Sequence, residues 1–243
     1  MSISLPFALH IPDGFLSGGV AAAAAVLAAA AVALALRVAG KELDEDRVPM
    51  LGLLAAFIFA VQMLNFPVAG GTSGHLLGAT LAAVLLGPWL ACLVMSVVIT
   101  VQAFAFADGG ITALGANVIN MGVIGALLAG LVLGWALRSF APNQTAFLGM
   151  VGVTAWLAVM LGATATSFQL AISGTVPLDT VLPAMLGVHA LIGIGEAVIT
   201  VAAISAVLAT RPDLIGLARF GPGQLEGGGQ PPPATAPAGG TAA

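Results

Sequence analysis

The stretch LSGGVAAAAAVLAAAAVALALRVA, residues 16–39, decides the fold class. It has no charged residue before Arg37, and it is longer than the roughly 18 apolar residues that indicate a membrane-spanning helix. The rest of the chain is similar, with 60% hydrophobic and 7% charged residues among 243, whereas a soluble domain carries about 25% charged residues. The apolar runs do not alternate as the strands of a barrel would. The sequence therefore predicts an all-α integral membrane protein.

Seven apolar segments can be placed along the chain, and each is predicted to cross the membrane as a helix. They cover residues 16–39, 48–67, 76–86, 89–106, 112–137, 147–172 and 182–208. Gly87-Pro88 separates the third segment from the fourth, and this dipeptide fits either a turn or a kink. The residues before His10 contain no Lys or Arg, so no cleavable signal is expected and the first segment should stay in the membrane. A bacterial or archaeal cytoplasmic membrane is the expected location.

The basic residues predict the orientation of the chain. They fall between segments one and two, between five and six, and after seven: Arg37, Lys41, Arg47, Arg138, Arg211 and Arg219. With an odd number of spans, these three regions share one side, which the positive-inside rule identifies as the cytoplasm. The N-terminus is therefore predicted outside and the C-terminus inside.

The opposite side would carry residues that can bind a metal ion. All three histidines, His10, His75 and His189, are predicted to lie at or near the external face, together with Asp13 and Asp108. Because basic groups are concentrated inside and imidazoles and carboxylates outside, the sequence predicts a binding site that faces the exterior.

Composition divides the chain into three parts. Residues 1–8 are predicted to be a non-native leader or a mis-assigned start, and residues 9–210 form the membrane-embedded domain. Residues 211–243 are predicted to be a disordered cytoplasmic tail, because from Gly221 onward they are rich in Gly, Pro and Ala and hold almost no bulky apolar side chain.

Four motifs occur in order along the membrane domain: HIPDGFLS (10–17), QMLNFPVAGGTSGHLLG (62–78), FADGGITALGANVINM (106–121) and HALIGIGEAVIT (189–200). In these motifs the chain resembles the cobalt- and nickel-specific substrate-binding subunits of energy-coupling-factor (ECF) transporters, the CbiM/NikM type. The resemblance implies a non-enzymatic subunit that captures Co²⁺ for cobalamin biosynthesis. Nickel uptake for urease or hydrogenase is the alternative.

The resemblance also implies partners. The chain contains no G-x-x-x-x-G-K-[ST] motif for binding a nucleotide, so ATP hydrolysis is assigned to ATP-binding cassette ATPases, linked through an ECF transmembrane coupling subunit. A small accessory membrane subunit is a further candidate partner, and neither a prosthetic group nor nucleic acid is expected. Alanines of the first segment recur at four-residue spacing, which fits docking of the coupling subunit or close contact between helices of the chain itself.

A metal site made of nitrogen atoms is implied by the same resemblance. In the family, the amine of an initiator methionine, the amide nitrogen of the next histidine and that histidine's side chain chelate one divalent ion. The histidine of the GTSGHLLG motif completes a near-planar set. Carried over, His10 and His75 are the histidines, and Leu9 supplies the amine. Planar nitrogen coordination suits Ni²⁺ and Co²⁺ and disfavours Mg²⁺ and Ca²⁺.

The position of His10 departs from the family pattern, because it is tenth rather than second. With the preceding residues attached, the nitrogen of Leu9 would be an amide, and the chelate would lose a ligand. A native chain that begins at Leu9 is therefore expected, either by initiation at a TTG or CTG codon, which inserts methionine, or by proteolytic trimming. The alternative is a site built from side chains, with His10 and His75 joined by Asp13 or His189.

Further polar residues are predicted either to support the ligands or to join helices. Asn65 and Asn117 lie in the loop motifs and could fix the parts of the chain around a ligating imidazole. His189 and Glu196 are seven residues apart and share a helix face. An ionisable group at such a depth is usually functional or paired, and a structural contact that braces helices fits these two residues equally well.

A different class of protein has to be weighed as well. The segment GTSG (71–74) spells G-x-S-G, the nucleophile motif of rhomboid-type intramembrane serine proteases. Those enzymes pair the serine with a histidine from a later helix, here Ser73 with His189. This interpretation leaves His75 and two of the four motifs without a role, and short motifs arise by chance. The metal-binding interpretation is therefore preferred.

Overall fold

A bundle of apolar helices makes up nearly all of the described chain. The computed structural model describes residues 10–41, 43, 48–63, 66–68, 72–140 and 143–217. The helices are α1 Gly18–Ala39, α2 Val48–Met63, α3 Ala79–Leu86, α4 Pro88–Phe106, α5 Leu114–Asn117, α6 Ala129–Phe140, α7 Gln144–Ile172 and α8 Leu178–Thr210. A π-helix, Val118–Leu128, joins α5 to α6, and a short antiparallel pair, β1 Phe66–Val68 and β2 Thr72–Gly74, lies between α2 and α3.

Five of the described helical units are long and apolar enough to cross a membrane, which confirms the predicted class. They are α1, α4, the continuous unit 114–140, α7 and α8. Helix α2 is apolar but has 16 residues. The third predicted segment differs most, because α3 has 8 residues and rises about 12 Å, less than the roughly 30 Å of the hydrocarbon core. Seven crossings therefore stay a prediction.

Glycines at both ends keep α3 short. Gly78 precedes it with φ 70° and Gly87 follows it with φ 86°, conformations that favour glycine because it has no β-carbon. Pro88 then opens α4, where a missing N–H has no cost. Gly87-Pro88 is therefore a turn between two helices. Every residue of α3 except Leu85 is buried, so this helix lies inside the bundle.

Helix α1 contacts the bundle through a narrow face of alanines. Ser17 caps it by accepting a hydrogen bond from the Val20 N–H. A β-carbon added to Gly115 would lie 2.5 Å from the Cα of Ala25, so only glycine at this point of α5 lets the two helices come so close. Of the two roles predicted for the alanine spacing, contact within the chain accounts for the buried alanines Ala24, Ala28, Ala35 and Ala39.

A polar contact fixes the π-helix against α7. Asn120 donates to the Thr166 hydroxyl at 2.9 Å and to the Gln169 side-chain oxygen at 2.8 Å. Gln169 donates back to the Asn120 oxygen at 2.8 Å. Asn120 is fully buried. A reciprocal pair of amide hydrogen bonds in such surroundings fixes the rotational orientation of the π-helix relative to α7.

Loops gather at one end of the bundle and basic residues at the other. The Gly110 N–H donates to the Ile11 carbonyl, and the Thr175 hydroxyl donates to the Phe15 carbonyl. These bonds join the chain before α1, the loop after α4 and the loop before α8. Helices α1, α5 and α8 all start there. The described basic residues lie at or beyond the far ends of these helical units: Arg37, Lys41, Arg138 and Arg211.

Residues 212–217, the C-terminal segment, pack against the end with the basic residues. Ile215 and Leu217 are buried. A β-carbon on Gly216 would lie 2.3 Å from the Leu85 carbonyl oxygen, so the backbone passes directly against the last turn of α3. The packed chain thus continues beyond the predicted 9–210 domain, and the tail from residue 218 lies outside the described residues.

Candidate metal centre

The His10 segment, residues 10–13, is held through the backbone of Ile11. Asn117 accepts a hydrogen bond from the Ile11 N–H at 2.8 Å and donates one to the Ile11 carbonyl at 3.1 Å. The Gly110 N–H donates to the same carbonyl at 2.8 Å. Asn117 and Ile11 are both buried, where an unpaired backbone group is costly. An asparagine predicted to support the site therefore fixes the residue next to His10.

The loop after α4 presses against the His10 segment because two consecutive residues are glycines. A β-carbon on Gly110 would lie 2.3 Å from the Asp13 nitrogen and 2.6 Å from the Pro12 carbonyl carbon. Asp13 accepts hydrogen bonds from the Thr112 N–H at 2.7 Å and from its hydroxyl at 2.5 Å. These bonds hold the pKa of Asp13 below its usual range. The Asp13 carboxylate is thus occupied in joining two loops.

The His75 segment, residues 75–78, is held by two side chains from different helices. Glu196 of α8 accepts the Leu77 N–H and the Gly78 N–H, each at 2.7 Å. Gln62 of α2 donates to the Leu77 carbonyl at 2.7 Å. Glu196 and Gln62 are both buried. Two hydrogen bonds from backbone N–H groups account for a carboxylate at this depth.

The two imidazoles meet where these segments converge. The ring centroids of His10 and His75 lie 4.8 Å apart, with the ring planes at 73°. The residues are only 5% and 7% exposed. Two imidazoles bound side by side to one ion, each with its nitrogen about 2 Å from the metal, would have centroids about 4.5 Å apart. The pair therefore has the spacing expected for two ligands of one ion.

The His75 ring is arranged as a neutral ligand. Its Nδ1 lies 3.0 Å from the Leu76 carbonyl oxygen. Because a carbonyl only accepts, the proton is assigned to Nδ1 and the lone pair to Nε2. Burial, and next the proximity of His10, lower the pKa of His75 to about 4. The ring is therefore uncharged at neutral pH and can offer Nε2 to a metal.

His10 lies beside the carboxylate of Asp108. The His10 Nδ1 is 3.1 Å from the Asp108 Oδ1, and this contact holds the pKa of Asp108 below its usual range. The contact is close but poorly aligned, and neither ring nitrogen has a well-formed hydrogen bond among the described residues. Because buried polar atoms normally have partners, a buried imidazole with neither nitrogen paired indicates a place for a ligand.

The described His, Cys, Asp and Glu side chains do not complete a metal site. Over these residues, no three His, Cys, Asp or Glu side chains converge closely enough to hold an ion. His10 and His75 bring two donors together. Backbone nitrogens and parts of the chain outside the described residues are further sources of donors. Leu9 and Asn65, both predicted to take part, lie outside them.

His189 and Glu196 have separate contacts although they share a helix face. The His189 Nδ1 donates to the Met185 carbonyl at 2.8 Å, one turn earlier in α8. Glu196 instead reaches the His75 segment. Glu196 thus binds the backbone before α3, whereas the His189 hydrogen bond stays within α8. The protease interpretation pairs His189 with Ser73, whose side chain is not part of the described structure.

Sequence reasoning missed the contacts that run through backbone atoms. It did not predict that Gly110 lies against the His10 segment, that Thr112 binds Asp13, or that Glu196 binds two backbone N–H groups. The double glycine of FADGG was the available signal for the first contact, since adjacent glycines often mark a close approach of two backbones. Main-chain acceptors and donors leave no comparable mark in the sequence.

The chain matches a family model described as CbiM, the cobalt uptake substrate-specific transmembrane region, over residues 10–214. It is 41% identical over 209 residues to a putative metal transport protein of Haloquadratum walsbyi, covering 85% of this chain and 93% of the relative. It is 39% identical over 210 residues to a putative fused nickel transport protein NikMN of Archaeoglobus fulgidus, covering 85% and 68%. A crystal structure of a truncated transition metal transporter matches with a TM-score of 0.74 and 32% identity, covering 82% of this chain and 98% of that chain.

Proposed function

The chain belongs to the CbiM family of cobalt uptake transmembrane proteins, and we propose that it captures Co²⁺, or alternatively Ni²⁺, where His10 and His75 meet. Its relatives are transport proteins, and it is not an enzyme, so the protease interpretation of Ser73 and His189 is wrong. One observation carries the proposal: a pair of buried imidazoles with centroids 4.8 Å apart, at which a buried ring nitrogen has no hydrogen-bond partner among the described residues.

The proposed ligand set adds backbone nitrogens to the two histidines. An amine at residue 9 binds the ion first, and this anchor lets the adjacent His10 amide lose its proton, which a free amide holds too tightly at neutral pH. The chelate ring that includes the His10 side chain closes through Nδ1. Binding therefore exchanges the contact between His10 and Asp108 for the ion. His75 contributes Nε2 and completes a set of nitrogen atoms.

Nitrogen ligands support both cobalt and nickel as the substrate. Late first-row ions prefer such ligands, whereas Mg²⁺ and Ca²⁺ prefer oxygen. The family description favours cobalt, and supply of cobalamin biosynthesis is the proposed use. The relative named as a fused nickel transport protein makes nickel, for urease or hydrogenase, the alternative. Competition between the two ions at one site distinguishes them directly.

The protein is proposed to work as the capture subunit of an ECF importer. The end with the histidines would face the exterior, because the opposite end carries the basic residues that favour the cytoplasm. The chain has no nucleotide-binding motif, so partner ATPases and a coupling subunit would drive uptake. A small accessory membrane subunit is a further proposed partner.

Metal titration of the protein, purified as the chain that begins at position 9 with methionine, tests the proposal. Wild type should bind Co²⁺ and Ni²⁺ tightly in the presence of excess Mg²⁺, and His75→Ala should lose at least about 100-fold in affinity, since it removes one of few ligands and disturbs the rest. Asp179→Ala is the control, because Asp179 is exposed in the first turn of α8. Normal cobalt and nickel affinity in His75→Ala would show that the site lies elsewhere.

The amine ligand needs a separate test. A chain that begins at position 9 with methionine should bind Co²⁺ more tightly than the 243-residue chain, because only the shorter one has a free amine next to His10. Intact-mass measurement on protein from the native host identifies which form exists. Tight binding by a mature chain that retains residues 1–8 would exclude the amine and favour a site made of side chains.

A further inference from the structure

Glu196 is the only acidic residue among the buried side chains of the described chain. Neither ion pair found in that part of the protein includes it. Both carboxylate oxygens are instead used on one short stretch of backbone, the N–H groups of Leu77 and Gly78. A carboxylate inside an apolar bundle is expensive. Leu77 and Gly78 precede Glu196 in the chain by 119 and 118 positions. These hydrogen bonds therefore stabilise the His75 segment rather than α8 itself.

The His75 segment has few other means of holding its shape. Gly78 at the start of α3 has no side chain, so α3 has no cap of its own. Glu196 accepts the N–H groups of the two residues that lead into the helix, Leu77 and the N-cap residue Gly78. Gln62 holds the Leu77 carbonyl. The Leu77 residue is thus fixed at its N–H by α8 and at its carbonyl by α2, two positions after His75.

We propose that Glu196 is a positioning residue for the metal site: it binds the backbone that carries His75 and so fixes where the imidazole stands, without contacting the ion itself. The inference rests on the proposed function. Ligands that are not held in place must be ordered when the ion binds, and that cost appears as lost affinity. Because Glu196 already orders the backbone next to His75 in the metal-free protein, less ordering is needed when the ion binds.

The chemistry of the contact predicts a specific order of variants. Glu196→Ala removes both acceptors. Glu196→Gln keeps the size of the side chain but offers one acceptor oxygen, and its NH₂ group would face an N–H donor. The glutamine variant should therefore lie between wild type and alanine. Thr200→Val is the matched control, because Thr200 is buried one turn further along α8 and has no contact with the His75 segment among the described hydrogen bonds.

Two measurements on the chain that begins at position 9 with methionine, the form that has the complete proposed ligand set, test the proposal. In titrations with Co²⁺ and Ni²⁺, Glu196→Ala should lose roughly 10- to 100-fold in affinity, and Glu196→Gln should lose clearly less. The visible absorption bands of the bound ion should shift in Glu196→Ala, since a displaced imidazole changes the ligand field. In hydrogen exchange followed by mass spectrometry, without metal, the peptide covering residues 75–80 should exchange faster in Glu196→Ala than in wild type or Thr200→Val.

Each contrary result has its own meaning. Unchanged affinity, spectrum and exchange in Glu196→Ala would overturn the positioning role while leaving the metal site in place. So would equal losses in Glu196→Ala and Thr200→Val, or a glutamine variant no better than alanine. If wild type binds neither ion, the proposed function fails and the role in metal binding fails with it. The exchange experiment would still report whether Glu196 holds the backbone.

Discussion

The His10 segment and the His75 segment meet at one site, but side chains of different chemistry hold them. Asn117 holds the first with a neutral amide that both accepts from and donates to Ile11. Glu196 holds the second with a carboxylate that only accepts, so Gln62 has to supply the donor. A single side chain bonds Ile11, whereas Leu77 is bonded by two side chains from two helices.

The groups that surround the two segments also differ. The His10 segment also touches the loop after α4 through backbone atoms, and an exposed carboxylate, Asp13, braces it from outside. The His75 segment is held by two buried side chains, one of them a carboxylate. The difference teaches that the first segment is sensitive to crowding of its backbone, whereas the second is sensitive to charge and protonation. The predictions below test this contrast.

Crowding the His10 segment should have the largest effect. In Gly110→Ala, the added β-carbon would meet the backbone of Pro12 and Asp13 at 2.6 Å and 2.3 Å. The segment has to move away, which also breaks the bond from Gly110 to Ile11. Co²⁺ binding measured by titration should be lost.

The control for this change is Gly187→Ala, because nothing lies within 4 Å of a β-carbon placed there. It should bind Co²⁺ as wild type does. If Gly110→Ala binds normally, the His10 segment tolerates displacement, and the contrast between the two segments is lost.

Acid should destabilise the metal-free protein through the His75 segment. The pKa of His75 is lowered to about 4 in the folded state, whereas an unfolded histidine has its usual value near 6.5. The unfolded chain therefore takes up the proton first, so stability is complete above pH 6.5 and falls as the pH drops toward about 4, by up to roughly 3 kcal/mol.

Thermal unfolding in detergent between pH 7.5 and about 4 measures this dependence. His75→Gln should show a smaller loss of stability over the same range, because its side chain does not titrate. The lowered pKa of Asp108 adds a loss at the acid end, and both proteins share it. Equal slopes for wild type and His75→Gln would mean that the buried imidazole does not control acid stability.

Removing the amide that holds the His10 segment should have a moderate effect. Asn117→Ala leaves the Ile11 N–H without a partner and takes one of two donors from its carbonyl. Co²⁺ affinity should fall roughly tenfold, a typical cost for a residue that supports a ligand. Asn143→Ala is the control, because Asn143 caps α7 and is exposed. An equal change of affinity in both variants would mean that the Asn117 contact has no specific role at the site.

Removing the charge of Asp13 should have the smallest effect. Asp13 is exposed and bonds only Thr112 among the described side chains, and an asparagine oxygen can accept the same hydrogen bonds. Asp13→Asn should keep Co²⁺ affinity within about threefold of wild type, as most surface changes do. A loss as large as that of His75→Ala would instead make Asp13 a ligand, which is the alternative left open by the sequence.

The sequence was enough to predict most of the helices, because the length of an apolar run is a strong signal in a membrane protein. The predicted segments 16–39, 147–172 and 182–208 correspond to α1, α7 and α8 with shifts of a few residues. The third segment has the same composition as the others, yet its helix is short. Only the conformations of Gly78 and Gly87 end it, and composition does not encode a φ angle. The π-helix within 112–137 was equally invisible, because its residues are as apolar as their neighbours.

The sequence indicated the side chains of the candidate site but not its geometry. His10, His75 and Asn117 could be picked out because a histidine or an asparagine is unusual in so apolar a chain. Glu196 stood out for the same reason, but its partners are main-chain N–H groups. Every residue except proline has such a group. The sequence of residues 75–78 therefore does not show that their N–H groups bind a residue of α8. That information exists only in the packed bundle.

The contact between Leu77 and Glu196 cannot form until late in the synthesis of the chain. During translation Glu196 is added 119 residues after Leu77. At 5–20 residues per second this interval lasts about 6–24 s. The C-terminal segment that passes against α3 follows later still. During that interval a nascent chain already contains both histidines but lacks the carboxylate that binds the backbone next to His75. The proposed metal site is therefore among the last parts of the molecule to form, and a chain truncated before Glu196 has both histidines but lacks the hydrogen bonds to Leu77 and Gly78.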